Sequence, residues 1–96
     1  MQFNFEWDPH KAQFNQAKHG VSFEIAATVF RDPHAVSIYD GEHSTDEERW
    51  LTLGISSIGS LLVVHHTFRG EDDQTVIVRI ISSRKAAKQE ELQYTE

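Results

Sequence analysis

Four arginines and a histidine pair in the second half of the chain offer the most chemistry. Arg49, Arg69, Arg79 and Arg84, with Lys85 and Lys88, place six of the nine basic residues between positions 49 and 88. No Asp or Glu lies between Arg49 and Gly70, and none between Gln74 and Gln89. Yet the whole chain carries a formal charge of −6. An acidic protein that clears carboxylates from these stretches keeps one surface electropositive. Guanidinium forks grip phosphate oxygens in pairs. The pattern therefore reads as a phosphate site, and RNA is the phosphate-bearing partner it points to.

His65 and His66 are the obvious titratable pair. Adjacent strand residues point to opposite faces. One of the two then belongs to the core, and the other is free to act as general acid or base. Arg79 stands between Val78 and Ile80, where burial without a partner is costly. It needs either a carboxylate, such as Glu48 or Asp40, or a place at a cleft edge. Arg49 opens a strand beside Trp50; it is either an edge cation or a phosphate fork. Trp50 either packs in the core or stacks on a base. Tyr94 either carries a proton or packs the last helix onto the sheet. His10, His19, His34 and His43 are scattered without metal-ligand spacing, so no metal and no cofactor is expected. The chain has no Cys, which removes thiolate chemistry and fits a reducing cytoplasm. There is no Gly-rich phosphate loop and no G-x-S-x-G.

These residues need elements to hold them. Phe3, Phe5 and Trp7 alternate with polar neighbours and predict a first strand. Asp8-Pro9 starts a helix that ends at Lys18-His19-Gly20. Ser22 caps a second, with Phe23, Ala26, Ala27 and Phe30 on one face; Asp32-Pro33 ends it. Residues 35–39 predict a strand, followed by an acidic loop. Residues 49–55, 60–69 and 75–82 predict three more strands with short, antiparallel connections. Ser82 or Ser83 then caps a last helix over roughly residues 84–94. Its first turn would set Arg84 and Lys85 beside a helix N-terminus, where Ser82 also helps to hold an anion; alternatively these cations pair with an acidic loop. The alternation and connections predict an α+β fold, one antiparallel sheet with helices on a face.

Ninety-six residues suit a single domain spanning 1–96. The start lacks the pattern of a signal peptide, and the longest apolar run, Leu61 to Val64, is far too short to cross a bilayer. No membrane association is expected. The acids crowd Asp40 to Glu48, Glu71 to Asp73, and Glu90, Glu91 and Glu96. They read as solvated segments, or as lures for a basic partner.

Three segments match one known pattern in order: FEWDPHKAQFNQAKHGVSFEIAATVFRDP, then EERWLTLG, then VRIISSRKAAKQEELQY. Together they resemble the BrnT family of type II toxins, over nearly the whole chain. The resemblance implies a RelE-like fold and an endoribonuclease that halts translation. It implies neutralisation by a BrnA-like antitoxin with a ribbon-helix-helix part, through which alone the complex would bind operator DNA. By the same resemblance Glu48, Arg49, Trp50, Arg79, Ser82 and Arg84 are site residues, and Lys18 and His19 match its Lys-His-Gly segment. Ser83 stands where the family more often has Ala. The expected chemistry needs no metal, because the RNA 2′-hydroxyl is itself the nucleophile. Arg49, Arg79 and Arg84 would hold the phosphate with Arg69 nearby, and Lys85 and Lys88 would add to RNA binding. Two other readings stand beside it: a non-catalytic toxin-like subunit acting as antitoxin partner and co-repressor, and a metal-dependent hydrolase.

Overall fold

A computed structural model describes residues 1–95; Glu96, one of the closing acids, lies outside them. Period-two alternation builds five strands: β1 (Gln2–Glu6), β2 (Val36–Tyr39), β3 (Trp50–Ile55), β4 (Leu61–Gly70) and β5 (Thr75–Lys85). They form one sheet in the order β1-β5-β4-β3-β2. The β2-β3-β4-β5 part is antiparallel, as its short connections require. The first strand departs from the expected all-antiparallel sheet. β1 pairs in parallel with β5, Gln2 opposite Thr75 and Glu6 opposite Arg79, so the sheet is mixed.

The helices start and stop as their end residues dictate. α1 (Pro9–His19) begins where Asp8 accepts from the His10 backbone N–H at 2.8 Å. It ends at Gly20, whose φ of 69° is the left-handed stop that favours glycine. Ser22 caps α2 (Phe23–Ala27) through the Ile25 N–H, and a 3-10 turn (Thr28–Arg31) continues it. Phe23, Ala26 and Val29 are fully buried on the sheet against Leu62, Val64, Val78 and Ile80. Burial of this kind contributes about 1.5–3 kcal/mol per large side chain. The close approach needs Gly54, where an added Cβ would come within 2.8 Å of Val29 Cγ1.

The last helix is shorter than expected. α3 runs over Lys88–Thr95, and β5 continues through Ser82, Ser83, Arg84 and Lys85 as strand. Residues 82–85 are held on both sides, by β4 through its pairs from His65–Ser82 to Leu62–Lys85 and by α1 at the other edge. β1 covers β5 only as far as Arg79. Beyond it, the buried Asn15 amide takes the place of a strand neighbour, donating to Ser83 O at 2.9 Å and accepting from Ser83 N at 3.0 Å. It also donates to Val21 O at 2.9 Å. Ser83 is thereby committed to the sheet and caps no helix. Asn15→Ala is expected to lower unfolding stability by about 2 kcal/mol, since it leaves buried backbone groups unpaired. Chemical denaturation would check this, and an unchanged midpoint would remove Asn15 from the account.

Candidate active site on the second sheet face

Register decides what the arginines share. α2 and its 3-10 extension cover one face of the sheet. The other presents Thr67 opposite Arg79, Arg69 opposite Ile77, His65 opposite Ser82 and Leu51, and Val63 opposite Arg84. Arg49 immediately precedes β3, and its carbonyl accepts from the Asp40 N–H at 2.8 Å. Arg49, Arg69, Arg79 and Arg84 thus all arise on this second face.

Two of them converge. One carboxylate oxygen of Glu47, from the acidic loop, accepts from Arg79 Nη2 and lies 3.9 Å from Arg49 Nη2. Arg49 Nε is buried with no hydrogen-bond partner among the described residues. An orphaned buried donor of this kind costs about 1–3 kcal/mol. Arg84 stands two rows from Arg79 on this face, beyond the His65–Ser82 row, gripped by Glu90 of α3 through two bonds of 2.8 Å. That pairing raises the Arg84 pKa and lowers that of Glu90. Arg69 is further out, 3.6 Å from Glu6. Every one of the four therefore has a carboxylate partner. The two at the centre are not sealed in: the side chains of Glu47 and Glu90 remain 38% and 24% exposed. Ion pairs of this kind hold by only about 0–1 kcal/mol. A phosphate can displace such a carboxylate and take its place in the fork.

His65 adjoins this cluster through Arg49. With Asp40, His43, Arg49, Ile81 and Ser82 it lines a hollow of about 250 Å³, which Arg79, Arg84 and Glu47 do not line. Burial pushes its pKa below the ordinary histidine value; the Arg84 charge pushes the same way, against an opposing pull from Asp40. The ring is therefore neutral at pH 7 and able to accept a proton. His43 is tied to Asp40 at 2.8 Å on the rim.

His66 is placed elsewhere. It is 0% exposed on the helix-covered face, among Phe30 and Phe68. Its Nε2 meets Thr52 Oγ1 at 2.6 Å, and Thr52 Oγ1 meets Ser37 Oγ at 2.8 Å. Burial takes its pKa down to about 4. As a group sealed away from the arginines it has no route to a substrate there, which corrects the expectation that either histidine of the pair can serve.

Several other sequence candidates also fall outside the hollow. Trp50 pairs with His66 and packs against Tyr39 and Phe68, so it faces away from the arginines. Lys85 alternates away from Arg84 and lines a separate hollow with Gln16, Val21 and Ile25. The expected anion site at a helix N-terminus beginning with Arg84 and Lys85 is accordingly not formed. Lys88 opens α3 and is exposed. Tyr94 donates to Asp32 Oδ2 at 2.5 Å, which ties α3 to the end of the 3-10 turn. Glu48 is exposed and bonds to none of the arginines among the described residues. Ser82 does line the hollow, while Lys18 and His19 sit at the far end of α1, outside it. The sequence reading missed Glu47, the neighbour of Glu48, and His43. In a run of adjacent acids, only the path of the loop selects which one reaches the arginines.

A family model described as "Ribonuclease toxin, BrnT, of type II toxin-antitoxin system" matches residues 7–90. Among solved structures, the 1.1 Å crystal structure of the Brucella abortus ribonuclease toxin BrnT is similar, with a TM-score of 0.66 at 21% identity over 91% of this chain and 100% of that one. That likeness supports the α+β fold. No curated protein matches the chain at a significant level.

Proposed function

The chain belongs to the BrnT family of ribonuclease toxins of type II toxin-antitoxin systems, and from that premise we propose that it cleaves RNA without a metal ion in the hollow beside His65. The carrying observation is the convergence of Arg49 and Arg79 on one displaceable carboxylate. A phosphodiester entering there replaces Glu47.

The chemistry then follows from the groups present. The 2′-oxygen attacks the adjacent phosphorus and gives its proton to the neutral His65 ring. The phosphorus–O5′ bond breaks, leaving a 2′,3′-cyclic phosphate; the departing 5′-oxygen takes a proton from water, and the hydroxide so formed takes up the proton that His65 gives back. Arg49 and Arg79 balance the extra negative charge on the phosphoryl oxygens, and Arg84 adds its field. Pre-positioned donors of this type supply a few kcal/mol each. The consequence proposed for the cell is arrest of translation in the cytoplasm, relieved by a BrnA-like ribbon-helix-helix antitoxin that also carries any operator DNA contact.

The test is purified protein with RNA in EDTA. Fragments with 2′,3′-cyclic ends are expected, with a rate that falls in acid as His65 becomes protonated, at a pH below the ordinary histidine value. Intact RNA at high protein concentration would reject cleavage for that substrate. A second reading is favoured by one observation: each of Arg49, Arg69, Arg79 and Arg84 already holds a carboxylate. In that reading the chain is a non-catalytic partner and co-repressor, and it forms a tight antitoxin complex while leaving RNA intact.

A further inference from the structure

A second depression adjoins the arginine hollow. It is about 460 Å³ in volume and lies between α1 and β5. Its walls are His10, Lys11, Phe14, Lys18 and His19, and its floor includes Ile81 and Ser82. The same two floor residues line the His65 hollow, so the two spaces meet over β5. The junction is where the register between β4 and β5 shifts. His66 pairs with Ile80 and His65 with Ser82, which leaves Ile81 as the extra residue.

The contents of this groove are unusual for so acidic a chain. Among the described residues, no Asp or Glu lines it, and neither Lys11 nor Lys18 has a carboxylate within 4.0 Å. Phe14 is 68% exposed, and Lys18 Nζ lies 5.9 Å from its ring centre. An apolar ring standing in solvent between two ammonium groups is the combination that holds single-stranded nucleic acid. The cations track the backbone, and the ring offers a stacking face to any base.

We propose that the α1 groove is a subsite for single-stranded RNA flanking the scissile phosphate, with a base stacked on Phe14 and backbone phosphates held by Lys11 and Lys18. The strand passes from the arginine hollow over Ile81 and Ser82 into the groove. The inference rests on the nuclease reading for its direction of travel, but its binding residues are separate from the cleaving ones. Lys11 and Phe14 are solvent-exposed, so their replacement leaves the core untouched.

The deciding experiment compares the Lys11→Ala/Phe14→Ala double variant with the unaltered protein on an RNA of about ten nucleotides and on a dinucleotide with a single phosphodiester. The ratio of kcat/KM between long and short substrate is expected to fall about ten-fold or more, chiefly through KM. Binding of a non-cleavable 2′-deoxy strand of the same sequence is expected to weaken alongside, with its salt slope reduced by about 0.7 for each lost phosphate contact. An unchanged ratio and unchanged binding would overturn the subsite. If the unaltered protein cuts neither substrate, the nuclease reading fails, and strand binding alone decides the groove: weakened binding in the double variant upholds it, and equal binding overturns it. A variant that loses its antitoxin complex while binding the strand as before would assign the groove to the protein partner and sink the RNA proposal.

Discussion

Arg79→Ala is expected to cut RNA cleavage by about 10²–10³-fold while the protein stays folded. The guanidinium projects from the sheet beside Arg49, where both approach one oxygen of Glu47. A donor fixed in that position needs no reorganisation when charge develops on the phosphoryl group. Its removal leaves Arg49 to meet the charge alone. The side chain is 39% exposed, and a half-exposed ion pair contributes little to stability. A fall in rate with an unchanged melting profile therefore separates a chemical role from a structural one. Arg79→Lys is the informative companion. It keeps the charge but loses the planar fork, and recovery of only a small part of the rate is expected. Cleavage by Arg79→Ala within about three-fold of the unaltered protein would remove the arginine pair from the mechanism.

The second large effect is on stability in acid. His66 is buried and neutral, with its folded pKa held at about 4. In the unfolded chain a histidine titrates near 6.5. Between those values the unfolded state binds the extra proton, so stability rises with pH across this window. The contribution is fully present above about pH 6.5 and is lost progressively as pH falls to about 4, amounting to about 3 kcal/mol. His65, whose pKa is also lowered, adds in the same direction. Denaturation of the unaltered protein and of His66→Gln across pH 4 to about 7 would show it. Glutamine keeps a hydrogen-bonding group near Thr52 and does not titrate. The variant is expected to lose about one proton's worth of pH slope. Parallel curves would mean that His66 makes no such contribution.

Much of the fold was legible in the chain because it depends on local periodicity. The alternation of residues 61–69 correctly separates His65, Thr67 and Arg69 from His66 and Phe68. Asp8, Gly20 and Ser22 mark helix ends through backbone groups only a few residues away. The limit of β5 was not legible. Ser82 and Ser83 look like a helix cap, but they pair with His65 and Val64 of β4, and the Asn15 amide, 68 positions away in sequence, holds Ser83 from the other side.

The site divides in the same way. Alternation put one histidine of the pair outside the core but did not say which. The helices settle that, because α2 and its extension cover the face of His66 and leave the face of His65 to the hollow. Residue types alone marked Arg49, Arg79 and Arg84 as candidates for binding phosphate, and three ordered segments of the chain carried the family. Strand order and register put the three arginines on one face, turned Trp50 and Lys85 to the other, and selected Glu47 from its acidic neighbours. Backbone alternation and capping act over a few residues, so composition and spacing express them. Which side chains meet across strands depends on pairing between segments tens of residues apart, and that exists only once the sheet has closed.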